Sequence, residues 1–318
     1  FPTRRSSDLH KILRLTQERL FSTLCHVYPQ AIVAEGKYIF VPGTMPVMLV
    51  AHLDTVHKES VKHICTSNSG NIIMSPQGIG GDDRCGVYAL MKLWKAVSGK
   101  HPSLLFTCNE ETGGHGAKAF AADWKNGLYE GFTFKYLIEL DRRGKKDAVF
   151  YDCANDQFED YVQSFGFCTD FGTYTDICDV ATAIGVAAVN LSCGYYNAHT
   201  LNEYIKVNEL QLTINKVRKM LQDIDNAPVF EYVDWYDSYD SYSLYDYEDS
   251  VIKCELCGET HRAVSMYFVE GSLLCEDCVR YYCRRCADCN KYTFSTHNVP
   301  VMGGSVEVCD DCYEEYEQ

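Results

Sequence analysis

Val47-Met-Leu-Val-Ala-His-Leu-Asp-Thr-Val56 is the stretch from which the rest of the chain is best read. Its first five residues, Val47 to Ala51, form a continuous apolar run, the pattern of a strand buried on both faces of a sheet. His52, Asp54 and Thr55 then fall where such a strand should end. Open α/β sheets bind ligands beyond the carboxyl ends of their strands, so these residues are candidates for chemistry. A histidine at that place is also a common hydrogen-bonded structural residue, and the tripeptide alone does not decide between the two.

The pattern recurs downstream. Leu104–Cys108 is a second apolar run, ending in Asn109-Glu-Glu-Thr-Gly-Gly-His-Gly116. Tyr136–Leu140 is a third, ending at Asp141, and Val186–Cys193 a fourth, followed by a loop that carries His199. Between them the 3.6-residue period predicts helices over His10 to about His26, Val87–Val97, Ala117–Trp124 and Val207–Ile224. Ala31–Ala34 and Lys37–Val41 flank Glu35-Gly36 and read as a hairpin, and short strand-like runs follow around Val61–Cys65 and Asn71–Met74. Gly78-Ile-Gly-Gly-Asp-Asp-Arg-Cys-Gly86 opens the second helix, but its glycine spacing is not a dinucleotide fingerprint and no strand directly precedes it. Strands alternate with helices, and acids and histidines cluster after the strands. The expected architecture is a three-layer α/β/α sandwich with a mixed, mostly parallel sheet and its site along one edge.

The 318 residues hold 29 Lys and Arg against 44 Asp and Glu, a formal net charge of -15. That balance argues against a general nucleic-acid binder. No apolar run reaches the ~18 residues of a membrane span. Of 17 cysteines, eight stand singly before residue 200 and nine crowd between Cys254 and Cys312. Scattered singles read as buried free thiols and CxxC pairs as metal knuckles, which fits a reducing, cytoplasmic setting. Residues 1–9 resemble the translation of a sequencing-adapter oligonucleotide and are set aside from fold reasoning. Residues 226–250 alternate Tyr with Asp and carry seven acids without one Lys or Arg, the composition of a solvated acidic linker.

His52, Asp54, Asp82, Asp83, Glu110, Glu111, Asp141 and His199 all fall at strand ends. Converging carboxylates repel one another without a cation, and imidazole with carboxylate suits zinc, with manganese or cobalt as substitutes. Each member has a plainer reading: Glu110 with Glu111, or Asp82 with Asp83, could cap the helix that follows, and Asp141 could begin a turn. Their joint occurrence favours the metal reading. Five or six candidate ligands suggest a pair of metals bridged by one carboxylate.

HLDTV, GDDRCG, NEETGGHGA, ELDRRG and AHTLNEYI, in this order, resemble the motifs of the co-catalytic dinuclear zinc exopeptidase superfamily, which includes bacterial aminopeptidases, peptidase T, glutamate carboxypeptidases and aminoacylases. The resemblance covers roughly residues 10–224. It implies that His52 and Asp141 ligate one zinc, that Glu111 and His199 ligate the other, and that Asp82 bridges them with a cis peptide just after it. It further implies that Asp54 orients the His52 ring and that Glu110 is the general base for a metal-activated water. Leu53–Gly81 and Arg142–Ala198 are too short to hold the lid domain that many relatives insert, so a compact, aminopeptidase-like enzyme is expected. Its substrate would be a peptide or an N-acyl amino acid. An N-acyl amino acid deacylase, a carboxypeptidase and a non-catalytic zinc-binding adaptor are the alternatives.

Cys254-x2-Cys257-x17-Cys275-x2-Cys278 and Cys286-x2-Cys289-x19-Cys309-x2-Cys312 match structural zinc spacing twice. The pattern resembles tandem zinc ribbons, or a LIM-type double finger with too long a spacer. About two structural zinc ions are expected, with Cys283 left over and His261 and His297 as substitute ligands. From Val251 onward six Lys and Arg face twelve Asp and Glu, so nucleic acid is excluded and a protein-docking module is expected. The domain expectation is 10–225 exopeptidase-like, 226–250 linker and 251–318 cysteine-rich.

Overall fold

Thr16 splits what the apolar period suggests is one N-terminal helix. In the computed structural model, helix α1 (Arg4–Leu13) ends before it and helix α2 (Gln17–Val27) begins after it. The extended Thr16 backbone and its side chain, which accepts from the Arg19 N–H at 3.4 Å, form an N-cap that starts the second helix afresh. Helix α1 reaches back into residues 4–9, and Leu9 is buried. The structure describes residues 4–97, 99–151, 153, 155–172, 174–234, 251–262, 266–270, 272–288, 291–301, 304–313 and 316.

The hairpin at Glu35-Gly36 joins strands β1 (Ile32–Ala34) and β2 (Tyr38–Val41), with Gly36 supplying a φ of +67°. The apolar run from Val47 is strand β3 (Val47–His52), buried at all six positions. Short strands β4 (Cys65–Thr66) and β5 (Ile72–Met74) precede helix α3 (Gly81–Ala96), which starts several residues earlier than its apolar period indicates. Strand β6 (Ser103–Thr107), helix α4 (His115–Lys125) and strand β7 (Tyr136–Arg142) come next. Then follow β8 (Asp147–Val149), α5 (Asp156–Gln163), β9 (Cys168–Thr169), α6 (Asp176–Ile184) and β10 (Ala188–Ser192). Strands β11 (Tyr195–Tyr196) and β12 (Tyr204–Lys206) and helix α7 (Val207–Gln222) close the series.

The main sheet has eight strands in the order β1-β2-β6-β3-β7-β10-β8-β9. Strands β6, β3, β7 and β10 are mutually parallel at its centre, and the antiparallel pairs lie toward the edges. Alternation along β3 explains the layers. Val47, Leu49 and Ala51 join the core that holds side chains of α1, α2, α3, α5 and α7, while Met48 and Val50 join the opposite core with α4 and α6. The expected three-layer α/β/α sandwich is therefore what the chain forms. Strands β11, β12, β5 and β4 make a small antiparallel sheet of their own.

Residues 226–234 do not behave as a linker. The Phe230 side chain is buried against Tyr136, Phe158 and Tyr161, and its backbone bonds both Lys135 and Ala187. One aromatic outweighs the acidic composition here because its burial removes a large apolar area from water. Residues 235–250 lie outside the described residues.

Contacts divide the chain into Phe1–Tyr239 and Asp240–Gln318. In the second unit a repeated pattern appears. Hairpins Val251–Lys253 with Thr260–Arg262 and Met266–Val269 with Ser272–Cys275 lead into a helix, Glu276–Tyr282. Hairpins Arg284–Arg285 with Tyr292–Thr293 and His297–Val301 with Gly304–Val308 then lead into Asp310–Tyr313. Among the described residues, no helix is long and apolar enough to cross a membrane.

Candidate metal centre

The parallel strands β3, β6 and β7 end side by side, and each delivers polar side chains into the space beyond. His52 closes β3 and is fully buried. Its Nε2 lies 3.1 Å from Asp82 Oδ1 and 3.6 Å from Asp141 Oδ1, and its Nδ1 lies 3.2 Å from Asp54 Oδ1. The second oxygen of Asp82 faces a different ring, with Oδ2 3.2 Å from His199 Nε2. That nitrogen is also 3.2 Å from Glu111 Oε2. One carboxylate thus stands between two imidazoles, with a further acid on each side.

Asp54 ties the set together. Its Oδ1 accepts from the Glu110 N–H at 3.0 Å and its Oδ2 from the Glu111 N–H at 3.1 Å, so the loop after β6 hangs on the loop after β3. Asp82 and Asp83 are joined by a cis peptide and break the helical geometry at the start of α3. The two acids then take different work. Asp83 is buried and accepts from the Gly86 N–H at 2.8 Å and the His52 N–H at 3.2 Å, a helix cap that also grips β3. Asp82 faces the histidines. Asn109 and His199 both have φ near +60°, a costly conformation for non-glycine residues that clusters at functional sites.

Asp141 is held on all sides. Its backbone exchanges hydrogen bonds with the Asn190 side chain at 2.9 Å, and its Oδ1 accepts from Tyr195 at 3.0 Å. Burial and the neighbouring Asp82 carboxylate push its carboxyl up to about 7. Burial opposes charge on His52, but the Asp141, Asp54 and Asp82 carboxylates outweigh it and raise the imidazole well above its ordinary value. His199 is pushed up to about 10 by its contacts with Asp82 and Glu111. Glu110, pushed up to about 8 mainly by burial, sits against the same cluster. Single ligand atoms of His52, Glu110 and Glu111 lie within 4.8 Å of one another, as do those of His52, Asp82 and Asp141.

Such protein-only contacts leave an imbalance that a cation would remove. Four acids crowd two imidazoles, and Glu111 Oε1 is buried with no hydrogen-bond partner among the described residues. The donor set of two histidines and three carboxylates suits zinc. A cleft of about 310 Å³ opens over the cluster, lined by Asp82, Glu110, Asp141 and His199 and by Arg142, Arg143 and Tyr174.

The seven residues to which the resemblance assigns a role, His52, Asp54, Asp82, Glu110, Glu111, Asp141 and His199, therefore meet at one place, with Asp83 beside them as a helix cap. Sequence reasoning missed Glu203. It lies inside AHTLNEYI, is fully buried, and accepts from the Asp82 N–H at 2.9 Å, the Gly80 N–H at 2.9 Å and His57 Nε2 at 2.8 Å. Its place four residues after His199, inside the motif, was the available signal. Asp176 and Glu139 are also fully buried, beside Thr107 and Thr175 respectively. His63 and His115 are exposed.

In the second unit, Cys254, Cys257, Cys275 and Cys278 offer sulfurs within 4.8 Å of one another. Cys286, Cys309 and Cys312 form a second group, and Cys289 lies outside the described residues. Cys283 is buried beside the first group, in the small core with Val269 and Val279. His261 clusters with Cys257 and Glu259, whereas His297 pairs with Asp310 at 2.7 Å.

The model of Peptidase family M28 matches residues 39–169. No curated protein matches the sequence. Among solved structures, the fold is similar to aminopeptidase PepT from Bacillus cereus ATCC 10987, with a TM-score of 0.54 and 16% identity over 70% of this chain and 98% of that one. A tripeptidase from Staphylococcus aureus subsp. aureus Mu50 has a TM-score of 0.54 and 13% identity over 70% and 98%. A TET aminopeptidase from a marine sediment Thaumarchaeota archaeon has a TM-score of 0.53 and 12% identity over 70% and 99%. At these identities the solved structures speak to fold. The family model, over residues 39–169, agrees with the resemblance to metal-dependent exopeptidases read from the motifs, and the solved structures agree with its fold.

Proposed function

We propose that this relative of the co-catalytic zinc exopeptidases is an aminopeptidase-like hydrolase with two metal ions at the strand ends and Glu110 as its general base. One observation carries the reading: Asp82 directs one oxygen to His52 at 3.1 Å and the other to His199 at 3.2 Å. A carboxylate so placed would serve both ions. His52 and Asp141 would complete one site, and Glu111 and His199 the other. When bound, zinc supplies Lewis-acid polarisation of an amide carbonyl and lowers the pKa of water.

The remaining work falls to side chains. Asp54 keeps His52 Nδ1 as the proton-bearing nitrogen, leaving Nε2 to face the site. Glu110 is anchored through its own N–H on Asp54, which aims its carboxyl at the cleft. There it takes a proton from the attacking water and returns it to the leaving amine. Burial favours its neutral form, which suits the second half of that transfer.

Arg142 and Arg143 support a second reading. Both line the cleft beside the acids, and Arg142 is held by Asp170 at 2.9 Å. Guanidinium groups favour a carboxylate, which an N-acyl amino acid or a peptide C-terminus would present. The cysteine clusters support two structural zinc ions and a reducing compartment, and the acidic balance of the tail supports a protein-docking role for it. We keep 10–225 as the catalytic region and 251–318 as the cysteine-rich one. Metal content of the full chain, with hydrolysis of aminoacyl, peptide and N-acyl substrates by the zinc-loaded protein, tests the reading. About four zinc ions per chain and release of a free amine are expected; two or fewer ions with no hydrolysis would refute it.

A further inference from the structure

Glu203 belongs to no ligand set, yet it joins three of the segments that build the candidate centre. It follows His199 by four residues, so its backbone belongs to the loop that brings that imidazole in. Its Oε1 accepts from the N–H of Asp82 and its Oε2 from the N–H of Gly80, each at 2.9 Å. Oε2 also meets His57 Nε2 at 2.8 Å, and His57 lies in the loop after β3, where its own N–H donates to Thr55 Oγ1 at 3.3 Å.

A buried carboxylate is costly unless its lone pairs are engaged, and here three donors engage them. The fit is tight on every side. A Cβ on Gly78 would come within 2.2 Å of the His57 ring. One on Gly81 would come within 3.1 Å of Glu203 Oε1 and 2.7 Å of the Tyr195 side chain. Gly80, at φ +64°, turns its N–H toward the carboxylate in a conformation that glycine adopts freely.

Asp82 and His199 come from segments more than a hundred residues apart, yet their side chains lie 3.2 Å from one another and, on the two-metal reading, would share one ion. We propose that Glu203, braced by His57, is a positioning residue that locks the Asp82 backbone to the His199 loop and so sets the separation of these two ligands. The proposal rests on the two-metal reading given above. Glu203 neither binds metal nor touches substrate in this role. His57 serves as a third donor that keeps the carboxylate in place.

Glu203→Gln keeps the size but turns one acceptor into an N–H2 group facing a backbone N–H. In the full chain, zinc bound at buffered free zinc should show one ion held about 10–100-fold more weakly than in the wild type. Turnover at limiting zinc should fall in kcat, with KM changed less than about threefold. His57→Gln retains a side-chain donor and should stay within about threefold of the wild type, whereas His57→Phe should reproduce the Glu203→Gln defect. Wild-type zinc affinity in Glu203→Gln, or equal defects in both His57 variants, would overturn the positioning role while leaving the two-metal reading intact. A wild type that holds zinc only in its cysteine-rich tail would refute both. Should Glu203→Gln fail to fold, the two His57 variants carry the comparison.

Discussion

The two units place their candidate metal-binding side chains in opposite relations to their cores. In the first, the core is apolar and complete without the candidate ligands. Val47, Leu49 and Ala51 pack to one side of the sheet, Met48 and Val50 to the other, and His52 only begins where that strand ends. In the second unit the candidate ligands are the core. Cys254, Cys275 and Cys278 share one small buried cluster with Val269, Leu274 and Val279, and Cys286 shares another with Val299 and Val308. The first arrangement builds a candidate site on a finished fold; on the proposed reading, the second would need metal to become a fold. A sheet can hold acids against one another at its edge because burial elsewhere stabilises the whole, and a few dozen residues with two knuckles cannot.

Stripping metal should break the molecule along that line, and this is the largest effect expected. A strong chelator should abolish amide-exchange protection throughout 251–313, because structural zinc contributes on the order of 10 kcal/mol to such folds. Protection in β3, β6 and β7 should survive. If both units melt together, the contrast between them fails.

A smaller change probes the first unit alone. His52→Ala should leave one metal position empty, while Asp54→Asn should keep both positions and weaken affinity by about 10–100-fold. Metal content of the purified variants at matched free zinc separates the two. Equal losses would make Asp54 a ligand rather than an orienting group.

The smallest effect concerns the acids beneath the site. Burial pushes the Asp176 carboxyl up to about 6, so the folded protein retains a proton that the unfolded chain releases near pH 4. The stability linked to that proton is full below the usual carboxylate range and is lost as pH rises toward 6. Asp176→Asn should therefore be more stable than the wild type by about 1–3 kcal/mol at pH 8, with the gap closing toward pH 4. Urea titrations of metal-free protein, read through Trp94 and Trp124, would show it. A gap independent of pH would place the effect in packing instead.

Much of the first unit was legible because strand and site are written together. His52, Glu110 and Asp141 each follow an apolar run, and the order of those runs already implied a sheet edge. Features set by single contacts were not legible. The Thr16 cap divides a helical period that looks continuous, and Phe230 docks a segment whose composition reads as linker. Glu203 was hidden because two of its three donors, the N–H groups of Gly80 and Asp82, are backbone atoms that leave no mark in a sequence, and the third, His57, lies 146 residues away. In the tail, cysteine spacing announced the four-sulfur group, but not that Cys283 would pack with the apolar side chains beside it.

Turnover of Glu110→Gln against the wild type, at equal and measured zinc content, tests the central claim most directly. The amide keeps the side chain's size and its anchoring N–H on Asp54 but cannot carry a proton. The account predicts unchanged metal binding with amide hydrolysis reduced by about 10²–10⁴-fold. Hydrolysis within a few-fold of the wild type would contradict it.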